Sequence, residues 1–418
     1  MLRYHARVVK LVYTLASGVS DRKIVLVRVQ SRARIKAIAP LFVYTLVIGY
    51  MKILLIEPYF TGSHKNWAKG LRKDSLHQIE LFTLPGQFWK WRMHGGAVTL
   101  ARMFMESKLQ PDLILTTDML DLTIFLSLTR SRTANIPTAV YFHENQLSYP
   151  WSTTDRDVGK KRNIHYGFIN YTTALTADHV FFNSQYHMDS FLTEARKMLK
   201  HFPDNNELET LRKITKKSSV LHLGLDLSRF DEHRCKKDSG IPLLLWNHRW
   251  EYDKNPEEFF NALEIISEKG LDFEVAILGE NFKHKPDVFD QAIQSLGKKV
   301  VHYGYVDSFK EYAKWLWRAD ILPVTSNQDF FGASIMEAVY CGTYPLLPDR
   351  LSYPELIPAE FRGSILYDNY NDFVQRLEKM IQANNNNKAH IRNIALRFDW
   401  AEIINSYDEA FEEIIQLG

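Results

Sequence analysis

The distribution of apolar and polar residues along the chain predicts two successive α/β units. From Met51 onward, short apolar runs alternate with longer segments in which apolar residues recur at helical spacing. A continuous apolar run is typical of a strand that is buried on both faces, and strands separated by helices generally pair in parallel. We therefore predict two parallel sheets, each covered by helices, in an α/β fold.

The first unit is predicted to extend from residue 51 to residue 230. Helices are predicted near Lys65 and over Leu120–Thr129, and Gly62 lies in the loop Tyr59–His64, where a glycine lets the backbone approach a ligand. The predicted strands, in chain order, are Lys52–Pro58, Leu81–Leu84, Pro111–Thr116, Thr138–Phe142 and Ala177–Ser184, followed by a strand and turn over Val220–Phe230.

A polar, charged linker over Asp231–Gly240 separates this unit from a second one, predicted at residues 241–395. A last helix, Trp400–Ile415, lies within residues 396–418. The predicted strands of the second unit are Leu243–Trp246, Phe273–Leu278, Val300–Tyr303 and the apolar run Ala319–Ser326, with helices over Glu257–Lys269 and Lys310–Arg318.

The last apolar run leads into the sequence DFFGASIMEAVYCG, residues 329–342, which indicates a loop followed by a helix N-terminus. The backbone N–H groups of Gly332, Ala333 and Ser334 would have no partner within this helix, and the positive end of its dipole lies behind them. A phosphate or diphosphate binds at such a terminus without a special side chain. We include the preceding Phe331 in this predicted donor site.

Two carboxylates flank the predicted phosphate site. Glu337 would lie about 7.5 Å further along the helix axis, where it can accept hydrogen bonds from ribose hydroxyls. Asp329 lies on the loop side and would face the hydroxyls of a sugar. The alternative is a solvent-facing acid and a helix-capping acid. Gly279 and Glu280, at the end of another strand, would border the nucleotide base, with Glu280 accepting hydrogen bonds from guanine.

Arg249 and Lys254 lie just beyond the end of a predicted strand. Two cations at this edge suit a diphosphate leaving group, because negative charge builds on its oxygens as the glycosidic bond breaks. The alternative is a surface pair in which these cations neutralise Glu251 and Asp253.

The first unit supplies a candidate acceptor side. His143, Glu144 and Asn145 follow the strand Thr138–Phe142, at the sheet edge where ligands bind in open α/β folds. A lone histidine is more often structural, but this strand-end position favours a catalytic role for His143. His64, in the loop that contains Gly62, is predicted to contact the acceptor as well.

The segment PGQFWKWRMHGG, which starts at Pro85, is predicted to be a loop. Its aromatic side chains Trp89 and Trp91 and the guanidinium of Arg92 would be exposed for binding, because aromatic residues in glycine-rich loops often contact ligands. These planar groups complete the predicted acceptor side.

Composition and charge separate a basic leader from the two units. The 45% hydrophobic and 24% charged residues are typical of a soluble globular protein, and two cysteines exclude a disulfide framework, which favours a cytosolic location. Residues 1–50 carry a net charge of +8 within a total of +3, so the remaining residues sum to −5. The apolar stretch Ala37–Tyr50 spans 14 residues with an internal proline, too short for a membrane-spanning helix.

A targeting peptide, a membrane tether and a nucleic-acid-binding arm are the alternatives for this leader. We favour Met51 as the start of the first α/β domain and interpret residues 1–50 as a basic extension from a misassigned upstream start. We therefore expect no stable membrane insertion. The sequence carries no signal for an oligomeric state.

From Met51 onward the chain resembles the tRNA-queuosine mannosyltransferases, a branch of the retaining GT-B glycosyltransferases of the family 4 type. In their E-x7-E signature the first acid is Asp329 here, one methylene shorter than Glu, and the second is Glu337. The matching blocks are GSHK at Gly62, FWKWR at Phe88, YFHENQLSYP at Tyr141, FFNS at Phe181, HRWEYDKNPEEFF at His248, ILGENF at Ile277 and DFFGASIMEAVYCGTYPLLPDRLSYPE at Asp329.

This resemblance implies two Rossmann-like domains facing an inter-domain crevice, with the last helix packed back on the first domain. It implies GDP-mannose as donor and the cyclopentenediol of queuosine in aspartate tRNA as acceptor, with retention and with neither a cofactor nor an essential metal. The implied roles, by position, are a diphosphate clamp for Arg249 and Lys254, N–H donors for Gly332–Ser334, ribose binding for Glu337, mannose binding for Asp329 and stabilisation of the reacting sugar for His143.

A tRNA acceptor gives the aromatic segment a specific role. Unstacked bases in RNA loops stack on aromatic and guanidinium planes, and Lys and Arg hold the phosphates. Candidate cations are Lys160, Lys161, Arg162 and the seven Lys/Arg between Arg196 and Lys217.

Three alternatives share the donor-side features. A glycosyltransferase of surface polysaccharide or glycolipid synthesis would use another acceptor, and a GT-B sugar-nucleotide epimerase would use none. A non-catalytic sugar-nucleotide sensor would leave the aromatic segment without a role. The residues alone choose neither the donor base nor the acceptor.

Overall fold

The computed structural model of the protein describes residues 10–11, 26–27, 50–151, 157, 164–236, 240–279, 286–383 and 390–417. Within the leader, Lys10–Leu11 pairs antiparallel with Leu26–Val27. Glu280 and the cations at residues 160–162 lie outside the described residues, so their predicted roles stay predictions.

The first sheet has six strands, and every pairing in it is parallel. Ile53 and Leu55 pack in one core cluster and Leu54 and Ile56 in another, so the strand is buried on both faces, as its continuous apolar run predicts. In spatial order the strands are Gln78–Pro85, Lys52–Phe60, Leu113–Thr117, Thr138–Phe142, His179–Phe182 and Ser218–Val220.

The second sheet also has six parallel strands, so the predicted α/β fold with two parallel sheets is confirmed. Sequence analysis missed Tyr344–Pro348, because Pro345 and Pro348 argue against a strand there. In spatial order the strands are Val300–Gly304, Glu274–Leu278, Leu243–Trp246, Ile321–Pro323, Tyr344–Pro348 and Leu366–Tyr367.

Helices connect the strands in both domains, which we define by these two sheets. The helices of the first domain are Gly62–Asp74, Trp89–Glu106, Leu122–Thr133, Ile164–Thr176, Gln185–Lys200 and Glu209–Lys216. Those of the second domain are Pro256–Glu268, Val288–Leu296, Phe309–Arg318, Ala333–Tyr340, Tyr353–Leu356, Ala359–Ile365, Tyr370–Ala383 and Arg392–Leu396.

Three local predictions are wrong. The first helix begins at Gly62, where φ is +50°, instead of near Lys65. The strand predicted within Val220–Phe230 ends at Val220, and a short 3₁₀ helix, Ser228–His233, follows. The segment from Trp89 is the start of a long helix instead of a loop.

Glycines inside this helix explain the wrong loop prediction. Gly96 lies against the first sheet, where a Cβ atom would come 3.3 Å from Cβ of Pro58. Gly95 similarly makes room for the indole of Trp91. Glycines that usually indicate a loop therefore serve close packing here.

The last helix, Trp400–Leu417, packs back on the first domain, as the resemblance implies. Trp67 Nε1 donates to Tyr407 Oη at 3.0 Å, and Ser75 Oγ donates to Asp408 Oδ1 at 2.6 Å. One hydrophobic cluster includes residues of both sheets and this helix, so the two domains share a core. Among the described helices, none combines the length and apolar character needed to cross a bilayer.

Candidate active site

A pocket of about 130 Å³ lies where the carboxyl ends of the two sheets face each other. Each domain contributes loops that follow its strands, as the rule for open α/β sheets predicts. The first domain contributes Ser63, His64, His143, Glu144, Tyr149, Asn183 and Leu223 to its lining. The second domain contributes Arg249, Lys254, Gln328, Asp329, Phe330, Phe331, Gly332 and Ala333.

The helix Ala333–Tyr340 presents its N-terminus to this pocket. Gly332 adopts a left-handed conformation with φ +84°, which a glycine allows without strain, and no side chain caps the helix. Among the described residues, the backbone N–H groups of Gly332, Ala333 and Ser334 have no acceptor. This arrangement suits an anionic ligand.

Both strand-end cations line the pocket, and both already contact carboxylates. Arg249 Nη2 lies 3.3 Å from Glu251 Oε2, and it donates to Tyr149 Oη of the other domain at 3.1 Å. Lys254 Nζ lies 3.3 Å from Asp253 Oδ2. The ion pairs with Glu251 and Asp253 that the alternative interpretation predicts are therefore present. They hold both cations at the crevice between the domains.

Asp329 belongs to a network around Lys254. Its Oδ2 lies 3.6 Å from Lys254 Nζ and accepts from Tyr353 Oη at 3.2 Å. Lys254 Nζ also donates to the carbonyl of Gln328 at 2.7 Å, which fixes the loop just before Asp329. The shorter carboxylate of Asp329 is thus held at the pocket wall by two neighbours.

Glu337 lies partly buried further along the same helix, outside the pocket lining. Its Oε2 accepts from Tyr312 Oη at 2.8 Å, and Arg229 Nη2 lies 3.5 Å from its Oε1. Burial raises the pKa of Glu337, and the charge of Arg229 opposes this shift. Tyr312 and Arg229 thus fix the orientation of the carboxylate.

A buried ion pair supports His143. His64 Nδ1 lies 2.9 Å from Glu57 Oε2, and the His64 ring packs on the His143 ring at 4.3 Å between centroids. Burial disfavours charge on His64, but the Glu57 carboxylate outweighs it and raises the pKa of His64 to about 9. Burial, and then the charge of His64, lower the pKa of His143 well below its usual value.

His143 is therefore neutral at physiological pH. Its backbone N–H donates to Asp118 at 2.8 Å, and its carbonyl accepts from Asn183 Nδ2 at 2.9 Å. Its Nε2 is buried without a partner among the described residues. This nitrogen is available to a hydroxyl of a bound sugar.

Glu57, His64 and His143 also form a potential metal-binding group. One candidate ligand atom from each lies within 4.8 Å of the others, and all three residues are buried. The Glu57–His64 ion pair occupies two of these groups. The predicted absence of an essential metal stays a prediction.

Besides Glu337 and the three residues of the aromatic segment, four of the described predicted site residues lie outside the lining. Asn145 accepts from the backbone N–H groups of Leu147 and Ser148, so its buried amide stabilises a turn, and its predicted contact with the acceptor stays a prediction. Gly279 has φ +126°, and a Cβ atom there would come 2.1 Å from the carbonyl oxygen of His248. Ser334 Oγ lies 3.3 Å from His248 Nδ1, and Gly62 begins the first helix beside Ser63.

The aromatic segment divides into a packed part and an exposed part. Trp89 packs against Trp151 and Tyr166 and is half-buried, so it is less exposed than predicted. Trp91 has 64% of its surface exposed. Arg92 Nε donates to the carbonyl of Pro85 at 3.0 Å, so its guanidinium is partly used within the protein.

Sequence reasoning missed Ser63, Tyr149, Asn183, Leu223, Gln328 and Phe330 in the lining. Tyr149 and Asn183 lie in the blocks YFHENQLSYP and FFNS, which carried the resemblance, so a signal for them was present. Phe330 stacks on His187 at 4.0 Å between centroids, an inter-domain contact that no local pattern predicts.

Comparison with known families matches both halves of the chain. The family described as the N-terminal part of tRNA-queuosine alpha-mannosyltransferase matches residues 52–225, and glycosyl transferases group 1 matches residues 229–397. A Drosophila melanogaster protein called tRNA-queuosine alpha-mannosyltransferase is 35% identical over 334 residues, which cover 78% of this chain and 85% of that protein.

Solved structures show the same fold at low sequence identity. Sucrose-phosphate synthase from Thermosynechococcus elongatus is 15% identical with a TM-score of 0.63, covering 88% of this chain and 100% of that one. Anabaena HepE in complex with UDP and glucose is 16% identical with a TM-score of 0.59, covering 87% and 100%. The predicted GT-B fold is thereby confirmed. The two family matches and the 35% identity to the Drosophila protein show that the chain belongs to the tRNA-queuosine alpha-mannosyltransferase family of glycosyltransferases.

Proposed function

We propose that this protein transfers mannose from GDP-mannose to the cyclopentenediol of queuosine in the anticodon of aspartate tRNA, with retention of configuration. The observation that carries the proposal is the pocket in which Arg249, Lys254 and the free N–H groups after Phe331 face His143 across the crevice. The name of the Drosophila relative supports the queuosine acceptor and the mannosyl group.

The second domain binds the donor in this proposal. The diphosphate lies at the N-terminus of Ala333–Tyr340, where the free N–H groups and the helix dipole face it. Arg249 and Lys254 contact its oxygens. Glu337, oriented by Tyr312, accepts hydrogen bonds from the ribose hydroxyls.

The mannose lies between the two domains. Asp329, held by Lys254 and Tyr353, accepts hydrogen bonds from its hydroxyls. Neutral His143 contacts the sugar through its unpaired Nε2. Burial, and then the cationic His64 ring behind it, disfavour protonation of His143 by lowering its pKa.

The chemical step exchanges one bond at the anomeric carbon for another. The bond to the diphosphate oxygen breaks and its electron pair stays with the diphosphate, where the two cations and the N–H groups stabilise the growing charge. An acceptor hydroxyl then bonds to the same face of the sugar. Its proton passes to the leaving phosphate, so no protein base and no metal is required.

The acceptor approaches from the first domain, where Glu144 lines the pocket. We place the reaction in the cytosol, where tRNA is available and the two cysteines stay reduced. The diphosphate, the donor sugar and the tRNA are thus recognised at separate parts of one crevice.

The test is transfer of radiolabelled mannose from GDP-mannose to aspartate tRNA that contains or lacks queuosine. We expect label only in the queuosine-containing tRNA, and an unchanged rate in EDTA. Equal labelling of both tRNAs, or labelling only of a lipid or glycan extract, contradicts the acceptor. Abolition by EDTA, with rescue by a divalent ion, contradicts the metal-free step.

A further inference from the structure

The first turn of the helix Trp89–Glu106 carries two exposed aromatic side chains. Phe88, the residue before the helix, has 75% of its surface exposed, and Trp91 has 64%. Among the described residues, neither ring stacks on another aromatic ring. Large apolar groups in such a position often mark a binding surface.

The backbone of Phe88 is strained. Its φ and ψ are +55° and +54°, the left-handed region that bulky side chains rarely adopt. Residues held in such conformations cluster at functional sites. The strain turns the chain into the helix and leaves the Phe88 ring in solvent.

Trp91 rests on a glycine of the same helix. A Cβ atom at Gly95 would come 2.6 Å from ring atoms of Trp91, so only a glycine lets the indole lie close to the helix surface. One side of the indole is therefore supported while most of its surface remains accessible. A glycine in a helix interior costs stability relative to alanine, and here it provides a fixed aromatic plane.

This aromatic turn is adjacent to the pocket. Gly86 lies against Thr61, where a Cβ atom would come 2.2 Å from Cβ of Thr61. Thr61 precedes Ser63 and His64, which line the pocket. Arg92 on the same helix and exposed Lys65 on the neighbouring helix add positive charge.

We propose that Phe88 and Trp91 form a stacking platform for an unpaired RNA base next to the modified nucleotide. Arg92 and Lys65 hold this part of the RNA on the acceptor side of the pocket. This inference rests on the proposed function. An RNA loop fits the site because its bases offer flat faces to the two exposed rings, and its negative phosphates are attracted by Arg92 and Lys65. Trp89 serves a different purpose, because it packs against Trp151 and Tyr166.

Three substitutions of the full chain test the platform. Phe88→Gly removes the ring and suits the left-handed backbone, and Trp91→Ala removes the indole. Gly95→Ala keeps both rings but displaces Trp91 from the helix. Val98→Ala is the matched control, because Val98 is also exposed on this helix, at 53%.

We expect Phe88→Gly and Trp91→Ala each to weaken binding of a queuosine-containing anticodon stem-loop by about tenfold, with KM for tRNA raised and KM for GDP-mannose unchanged. Gly95→Ala should act in the same direction with an unchanged or higher melting temperature, and Val98→Ala should have no effect. An abasic nucleotide beside queuosine should weaken wild-type binding equally and add nothing to Trp91→Ala.

The outcomes separate the platform from the proposed function. If the wild type labels queuosine-containing tRNA but the aromatic variants bind the stem-loop normally, the platform is wrong and the function stands. If the wild type binds the stem-loop through these residues but does not label it, the function is wrong and the platform stands. A loss that Val98→Ala shares, or one shown equally in GDP-mannose KM, contradicts the platform.

Discussion

The nucleotide side of the second domain and the acceptor side of the first domain relate differently to the sequence. On the nucleotide side, a helix N-terminus and two cations lie close together because each follows a strand end, and the local sequence indicates each of them. On the acceptor side, the exposure of Trp89 depends on Trp151 and Tyr166, which are distant in the chain. A helix N-terminus or a strand-end cation can be predicted from the local sequence, whereas the exposure of a side chain depends on tertiary packing.

The largest expected effect lies on the nucleotide side. Arg249→Ala or Lys254→Ala should each lower kcat by about 10² to 10³, because each removes a positioned donor facing charge that grows in the transition state. Lys314→Ala, which removes an exposed lysine paired with Glu311, is the control. Steady-state kinetics with varied GDP-mannose measures both. An effect confined to donor KM would indicate uniform binding instead.

A smaller effect is expected for the ribose contact. Glu337→Ala should raise KM for GDP-mannose by about 10- to 100-fold with little change in kcat, since a hydrogen bond to a charged group contributes to binding throughout the reaction. Tyr312→Phe should shift donor KM in the same direction by less, because it only frees the carboxylate. Isothermal titration with GDP checks this, and unchanged GDP affinity in Glu337→Ala would place the ribose elsewhere.

The acceptor side and the nucleotide side should also differ in how strongly salt lowers the affinity for their ligands. Affinity for tRNA should fall about tenfold between roughly 50 and 200 mM salt if two or three phosphates are neutralised, because each contact releases counterions. Affinity for GDP-mannose, bound in the crevice by few groups, should fall less. Fluorescence anisotropy at several salt concentrations tests this, and a flat tRNA response would contradict recognition of the RNA backbone.

The smallest expected effect concerns the buried pair behind His143. His64 has a pKa of about 9 when folded and about 6.5 when unfolded, so its stabilisation is complete below pH 6.5 and is lost as pH rises toward 9. Between these values the loss of the His64 proton should lower the free energy of unfolding by up to about 1.4 kcal/mol per pH unit, and Asp118, whose pKa burial raises to about 8, adds to this fall. Denaturant unfolding at four pH values measures this slope.

Glu57→Gln should flatten that slope, because His64 loses the carboxylate that keeps it charged. Glu106→Gln, in the exposed pair with Arg102, is the control and should leave it unchanged. An identical slope in Glu57→Gln and the wild type would show that another group titrates in this window.

Most of the strand order along the chain could be predicted from apolar runs. The strand Thr138–Phe142 has the predicted bounds because a fully buried parallel strand reads as a continuous apolar segment. Tyr344–Pro348 could not be predicted, because its prolines are tolerated only through its particular neighbours in the sheet.

Among the site residues, too, some could be predicted from the local sequence and others could not. His143 could be predicted from its strand-end position, but the cationic His64 beneath it could not, because the charge depends on Glu57 in the same buried cluster. Phe88 begins the block FWKWR, but its left-handed backbone is visible only in the structure.

Nucleoside mass spectrometry of aspartate tRNA from cells that lack this protein tests the central claim most directly. We expect the mannosylated queuosine to disappear and unmodified queuosine to accumulate, with restoration by the wild-type chain and not by Lys254→Ala. An unchanged amount of mannosyl-queuosine in the deleted cells would contradict the proposed function.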